Sequence, residues 1–351
     1  MSHKNNHRNK AIVWDYWQRM NYAEPEQVTS LIKSVMHEYV NWNGPHPINQ
    51  LLGVDALITG FWEPLLKSFP DVRRKVHILM GGESDGEEWV SSIGYLTGTF
   101  VKDWLGIPAN GEKTSIHYGQ FYLMREGKVA DVYGILDILS VMRQAGFQVL
   151  PPSRGAEGGR VPGPRTRDGV LLTEQDEMES RKTGQLMWEM LCGLYRYDRD
   201  RDGKNMRSME QEHYWHPQMH WYGPTGIGAC FDIDDFEDFQ MRPWMLAFGS
   251  CGAPDGNYRK IGLGEGNYLA EGRYASCGLW DAPFGEHVGE YLGVPPTGKL
   301  LTMRDFDWYR RDGDYLVENW IPIDLIDLFK QMGVDLFERL QIQVEQRKNQ
   351  K

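Results

Sequence analysis

Proton-transferring side chains gather in the second half of the chain. His220 and Tyr222, in the run MHWYGPTGIG, alternate with Trp221 and share one face if that run is a strand. A later strand-like run alternates Arg304, Phe306 and Trp308 against Asp305, Asp307 and Tyr309; its pattern leaves open which set points inward. Asp324 follows in step with Glu318 and Trp320. An imidazole, a phenol, a guanidinium and a carboxylate converging on one pocket could hold an oxyanion and move a proton. The first half offers Asp137 with Tyr133 and Asp131, and Asn41, Trp42 and Asn43 where the second has His220, Trp221 and Tyr222. That is a less basic and less acidic set. His220 reads equally well as a satisfied core histidine. Asp137 and Asp324 read equally well as helix N-caps, since each precedes a helical run.

Three other motifs argue against metal and nucleotide chemistry. DRDRDG at Asp198–Gly203 opens like a calcium loop, but its twelfth position is Met209, with Glu210 one place late. His213, His216 and His220 have helical spacing, yet Pro217 interrupts them. GLGEG at Gly262 lacks the strand-to-helix setting of a dinucleotide fingerprint. The expectation is no metal and no cofactor.

The elements that must position these residues occur twice. LGIPANGEK from Leu105 matches LGVPPTGK from Leu292, and the offset of 187 (293 − 106) also joins Tyr122 to Tyr309, Asp137 to Asp324 and Gly146 to Gly333. Upstream the offset is 179 (221 − 42), joining Trp42 to Trp221 and Pro64 to Pro243. The extra residues of the second copy fall in the Gly-rich stretch GSCGAPDGNYRKIGLGEGN. A repeat this long is a domain rather than a solenoid unit. The spacing predicts a first domain over 10–150, a linker over 151–169 rich in Pro, Gly and Arg, and a second domain over 170–345. Within a copy, helices are expected at Glu26–Tyr39 and Thr59–Ser68, and at Thr183–Leu194 and Phe236–Phe248. Strands are expected at His117–Met124 and Val129–Leu136, and at Met303–Arg310 and Tyr315–Ile323. REGK and RDGD form the turns, and a short helix ends at Gly146 or Gly333. Helices followed by antiparallel strands give an α+β domain, a curved antiparallel sheet with helices on one face. The polar tail EQRKNQK is expected to fray.

Composition narrows the partners. The chain has 351 residues, a net charge of -11, 13 Trp and 4 Cys. An acidic chain is not built for nucleic acid or anionic membranes. No run reaches the ~18 apolar residues of a membrane span, and the polar start does not read as a secretory leader. Cysteines without a Cys-x-x-Cys pair read as reduced thiols, hence a cytoplasmic protein. Abundant Trp and Tyr suit an aromatic-lined pocket for a small-molecule substrate. Self-association stays open.

The ordered set L-G-[IV]-P-x-[TN]-G, strand, Gly turn, strand, then D-[IL]-[LI]-x-[LV]-[MF]-x-Q-x-G resembles the SnoaL-like polyketide cyclases of the nuclear transport factor 2-like superfamily, over nearly all of both copies. SFPD at Ser68–Asp71 resembles that family's motif after its second helix. The resemblance implies two cone-shaped α+β barrels in tandem, where most such proteins have one. It implies cofactor-free acid–base chemistry on a carbonyl or polyketide-like substrate: cyclase, isomerase or lyase. It places the acid/base at Asp324 and Asp137. With Asp324 would go His220, Tyr222, Arg304, Trp308, Glu318 and Trp320, and with Asp137, Tyr133. Epoxide hydrolysis or dehydration in the same cone, or a non-catalytic module that binds a hydrophobic ligand or mediates assembly, fits the same pattern.

Overall fold

The computed structural model describes residues 2–248 and 268–350. The chain resolves into two compact units. The first comprises Met1–Val149, Pro162–Glu174 and Asp335–Lys351; the second comprises Leu150–Val161 and Gln175–Val334. The Pro/Gly-rich segment is irregular, as ring-locked φ angles and missing donors require, and its two parts serve different units. The Gly-rich stretch with GLGEG and Cys251 lies outside the described residues.

Each unit is built on one six-stranded sheet. The first contains β1 (Met36–Asn43), β2 (Gln50–Leu52), β3 (Arg73–Ser84), β4 (Glu87–Thr99), β5 (Lys113–Arg125) and β6 (Lys128–Leu136), in the order β2-β1-β6-β5-β4-β3. The second contains β7 (Trp215–Tyr222), β8 (Ala229–Cys230), β9 (Leu269–Glu271), β10 (Tyr274–Glu286), β11 (Leu300–Asp312) and β12 (Tyr315–Trp320), in the order β8-β7-β12-β11-β10-β9. The sheets are mixed rather than wholly antiparallel, because β1 runs parallel to β6 and β7 parallel to β12. Bulges at Val76/Ile78 and at Trp280/Ala282 bend the long strands, which gives each sheet a concave side. These are two α+β cones of one design.

The hairpin turns follow their residues. Glu126 and Gly127 both have positive φ (52° and 76°), the backbone that matches strand twist in a two-residue turn. Gly146 and Gly333 (φ 87° and 89°) close the helices Ile138–Gln144 and Leu325–Gln331 as left-handed caps.

Helix placement departs from the pattern in three ways. The helix expected over 26–39 ends at Val35, and β1 starts at Met36. A helix at Ser2–Met20 was not signalled, because its polar run hides the spaced Val13, Tyr16 and Trp17 that it buries against β3 and β4. It is the counterpart of Glu177–Leu194, which packs on β9 and β10. The tail does not fray. Leu336–Asn349 is a helix of the first unit, where the Arg347 guanidinium donates to the carbonyls of Ala145 and Gly146, and Gln343 bonds both backbone groups of Gln148. No described helix is long and apolar enough to cross a membrane.

Candidate functional site

In the second unit a cavity of about 130 Å3 lies between the sheet and two helical segments. The sheet wall comes from β7, β10, β11 and β12. The opposite wall comes from Glu177–Leu194 and from the helical run Ile233–Phe248, which passes through a π-type turn at Glu237–Met241. Most of the lining is apolar or aromatic, Met190, Trp221, Phe236 and Trp244 among it. Strand alternation then sets the polar wall. Asp305, Asp307 and Tyr309 of β11 face the cavity, as does Asn319 of β12, which pairs with Tyr309.

The two carboxyls have different surroundings. Asp307 accepts a hydrogen bond from Asn319 Nδ2 at 2.8 Å and another from the Tyr309 hydroxyl. Asp305 Oδ1 has no hydrogen-bond partner among the described residues. Both residues are half-buried, and the surface they keep looks into the cavity. Loss of hydration raises both above the ordinary carboxylate range. Asp305 is raised further by the neighbouring Asp307 charge, whereas the bonds from Asn319 and Tyr309 moderate the rise at Asp307. The environments therefore divide the labour: Asp305 holds its proton more tightly and Asp307 carries the charge. Burial also pushes up the nearby Tyr309 phenol and Cys277 thiol, so neither is an anion near neutrality.

The first unit places no such pair at the equivalent positions. At the 187 offset Asp305 and Asp307 correspond to Tyr118 and Gln120. Tyr118 bonds Ser92, and the Tyr122 hydroxyl donates to Gln120. Beside them the Arg74 guanidinium is sandwiched between the Trp17 ring at 3.2 Å and the Tyr118 ring at 3.8 Å. That interior is packed with rings and a delocalised cation.

The residues singled out from sequence fall elsewhere. His220, Tyr222, Glu318 and Trp320 share one face: Glu318 pairs with His220 and Trp320 with Tyr222 across β12 and β7. Trp308 pairs with Trp320, and Arg304 is in step with Trp308, so all six are brought together on the sheet face away from the cavity. There His220 Nδ1 lies 2.9 Å from the Tyr222 hydroxyl. Buried Glu318 pairs with Arg310, and Tyr222 stacks on Trp320. Arg304 forks onto Asp281 at 2.6 and 3.1 Å and reaches Asp324 Oδ2 at 3.5 Å. Asp324 accepts from the Asp327 N–H as the N-cap of its helix, and Asp137 accepts from the Ser140 N–H in the same way. Tyr133 sits with Trp89 on the first sheet, their ring centroids 6.2 Å apart. What the sequence reading did not select is the alternate register of β11, together with Asn319. The signal was the two-residue spacing of Asp305 and Asp307 itself.

The other motifs have structural duties. Asp198 caps the short helix Arg199–Asp202. His216 and His220 lie on β7 rather than on a helix. Asp71 of SFPD accepts from the Thr99 N–H, the Thr99 hydroxyl and Lys113, which holds its carboxyl far below the usual range despite the desolvation it suffers. Among the described residues no His, Cys, Asp and Glu side chains form a metal-binding group.

The family model of the SnoaL-like polyketide cyclases matches residues 16–145 and 282–332, just over half of the chain and parts of both units. The chain belongs to that family. No curated protein matches its sequence. Among solved structures, a candidate SnoaL-like polyketide cyclase from Jannaschia sp. CCS1 aligns at 18% identity and TM-score 0.35, covering 42% of this chain and 95% of its own. IdmH, a candidate polyketide cyclase from Streptomyces antibioticus, aligns at 14% identity and TM-score 0.34, covering 39% of this chain and 98% of its own. AclR, a candidate hydroxylase from Streptomyces galilaeus, aligns at 19% identity and TM-score 0.33, covering 39% and 95%. In this SnoaL-like chain the second matched segment runs through Asp305, Asp307, Asn319 and Asp324 alike.

Proposed function

We propose that the second cone is a cofactor-free acid–base enzyme that enolises a small carbonyl compound, with Asp307 as base and Asp305 as acid. The observation that carries this reading is two cavity-facing carboxyls with unequal hydrogen bonding. Two titratable groups whose surroundings push them apart are the pattern of an acid and a base. Asp307 removes a proton from the carbon next to the carbonyl while Asp305 gives its proton to the carbonyl oxygen. The pair begins and ends with one proton and one negative charge, so the apolar cavity never holds two. Protonation at a different carbon gives an isomer; attack of the enol carbon on a second carbonyl closes a ring. The membership in a family of polyketide cyclases supports the second outcome as a reaction class.

Size restricts the substrate. About 130 Å3 is close to the ~150 Å3 apolar cavity that takes up benzene, so a one-ring carbonyl compound suits the space. The test is exchange of α-protons of acetophenone and 2-cyclohexenone in D2O, followed by proton NMR. The wild type should accelerate exchange, and Asp307→Asn should cut that acceleration by ~10²–10⁴. Acceleration that survives in a folded Asp307→Asn variant but collapses in Asp324→Asn would transfer the role to the N-cap aspartate. No acceleration for either ketone would favour a binding module.

A further inference from the structure

The wall facing the carboxyl pair contains a second unsatisfied group. Gln240 lines the cavity, is 5% exposed, and its Oε1 has no hydrogen-bond partner among the described residues. Native structures rarely leave a buried amide oxygen bare, because its lost hydration is not repaid. The first unit shows that the fold does not demand a polar residue here. At the 179 offset the position is Phe61, in the matching π-type turn Ile58–Trp62, and its ring stacks on Trp42 with centroids 4.7 Å apart. Trp221, the counterpart of Trp42, also lines the cavity. In the second unit Trp221 packs on Phe236, with ring centroids 5.7 Å apart, and the place of the Phe61 ring is taken by an amide whose oxygen has no partner among the described residues.

We propose that Gln240 is the specificity-determining contact of this cavity and selects a one-ring ligand that carries a hydroxyl group. A bare acceptor needs a donor, and a hydroxyl, which both donates and accepts, satisfies either end of the amide. The substrate class becomes a hydroxylated or enolic cyclic carbonyl compound, held with its carbonyl toward Asp305 and its hydroxyl toward Gln240. This rests on the cavity being the substrate site, as proposed above, but not on turnover there.

Phenol and toluene, equal in size and different in the hydroxyl, are suitable probes. Titration calorimetry on the full chain should show phenol binding ~3–10-fold more tightly than toluene, the worth of one neutral hydrogen bond. Gln240→Leu should abolish or reverse that ratio while raising Tm, because the bare amide is gone. Gln240→Met, similar in volume, should do the same if the Leu variant folds poorly. An unchanged ratio in either folded variant would assign the selectivity to the carboxyl pair and overturn the inference. So would a wild type that binds neither probe. Selective phenol binding without ketone exchange would leave Gln240 in its role and sink only the acid–base reading.

Discussion

The carboxyl pair should make the protein less stable as pH rises, and Asp305→Asn should remove that penalty. Residues two apart on one strand have Cα atoms about 6.7 Å apart. Two unit charges at that distance repel by about 2.5 kcal/mol at an effective dielectric constant of about 20. That repulsion opposes loss of the second proton, adding to the rise at Asp305 from lost hydration. In the unfolded chain both aspartates ionise near ~3.9. Above that pH the unfolded chain has released both protons while the native pair retains at least one. The native state therefore binds more protons, and stability falls as pH climbs towards the folded-state values. The contribution is fully present below ~3.9 and lost above. Asn cannot ionise, so Asp305→Asn should match the wild type near pH 4 and exceed it at pH 8 by at least the ~2.5 kcal/mol of the repulsion. Urea denaturation of both proteins at pH 4, 6 and 8 reads this directly. A difference that does not grow with pH, or a wild type that is the more stable at pH 8, would refute the reasoning.

Other expectations concern the first unit. Burial lowers His77 to about 4 and His117 to about 3, so the native state stays neutral while the unfolded chain takes up protons below ~6.5. Stability should fall as pH drops from 6.5 towards 4, and a His77→Phe/His117→Phe variant should flatten that acid arm in the same urea titration. Gly94→Ala would set a Cβ 2.0 Å from the Lys75 carbonyl across the β3–β4 pair; we expect a loss of more than about 3 kcal/mol, or no soluble protein, with an unchanged Tm as the contrary result. Asp137→Ala removes the bond to the Ser140 N–H and should cost about 1 kcal/mol, whereas Asp137→Asn should cost little.

The sequence carried the repeat, the Gly turns and the β11–β12 hairpin because glycine backbone freedom and strand alternation are local properties. It could not choose the inner face of β11. Arg304, Phe306 and Trp308 form as plausible an interior as Asp305, Asp307 and Tyr309, and both faces of the strand are largely covered. The helical segments that cover one face decide the matter, and the nearer of them, carrying Phe236 and Trp244, lies some 60 residues upstream. Gln240 was equally hidden, since a single amide in a short helix has no pattern. The helix Ser2–Met20 escaped notice because its buried apolar side chains, Val13, Tyr16 and Trp17, sit in a mostly polar run of nineteen residues.

The ownership of Leu336–Asn349 by the first unit has a bearing on the timing of synthesis. Residues up to Val149 leave the ribosome long before the helix that satisfies the carbonyls of Ala145, Gly146 and Val149. At ~5–20 residues per second the delay is about 10–40 s. For that interval the first sheet waits without its last piece, while every residue of the second unit emerges. The nascent chain cannot finish its domains in the order in which it makes them: the first to begin is the last to close.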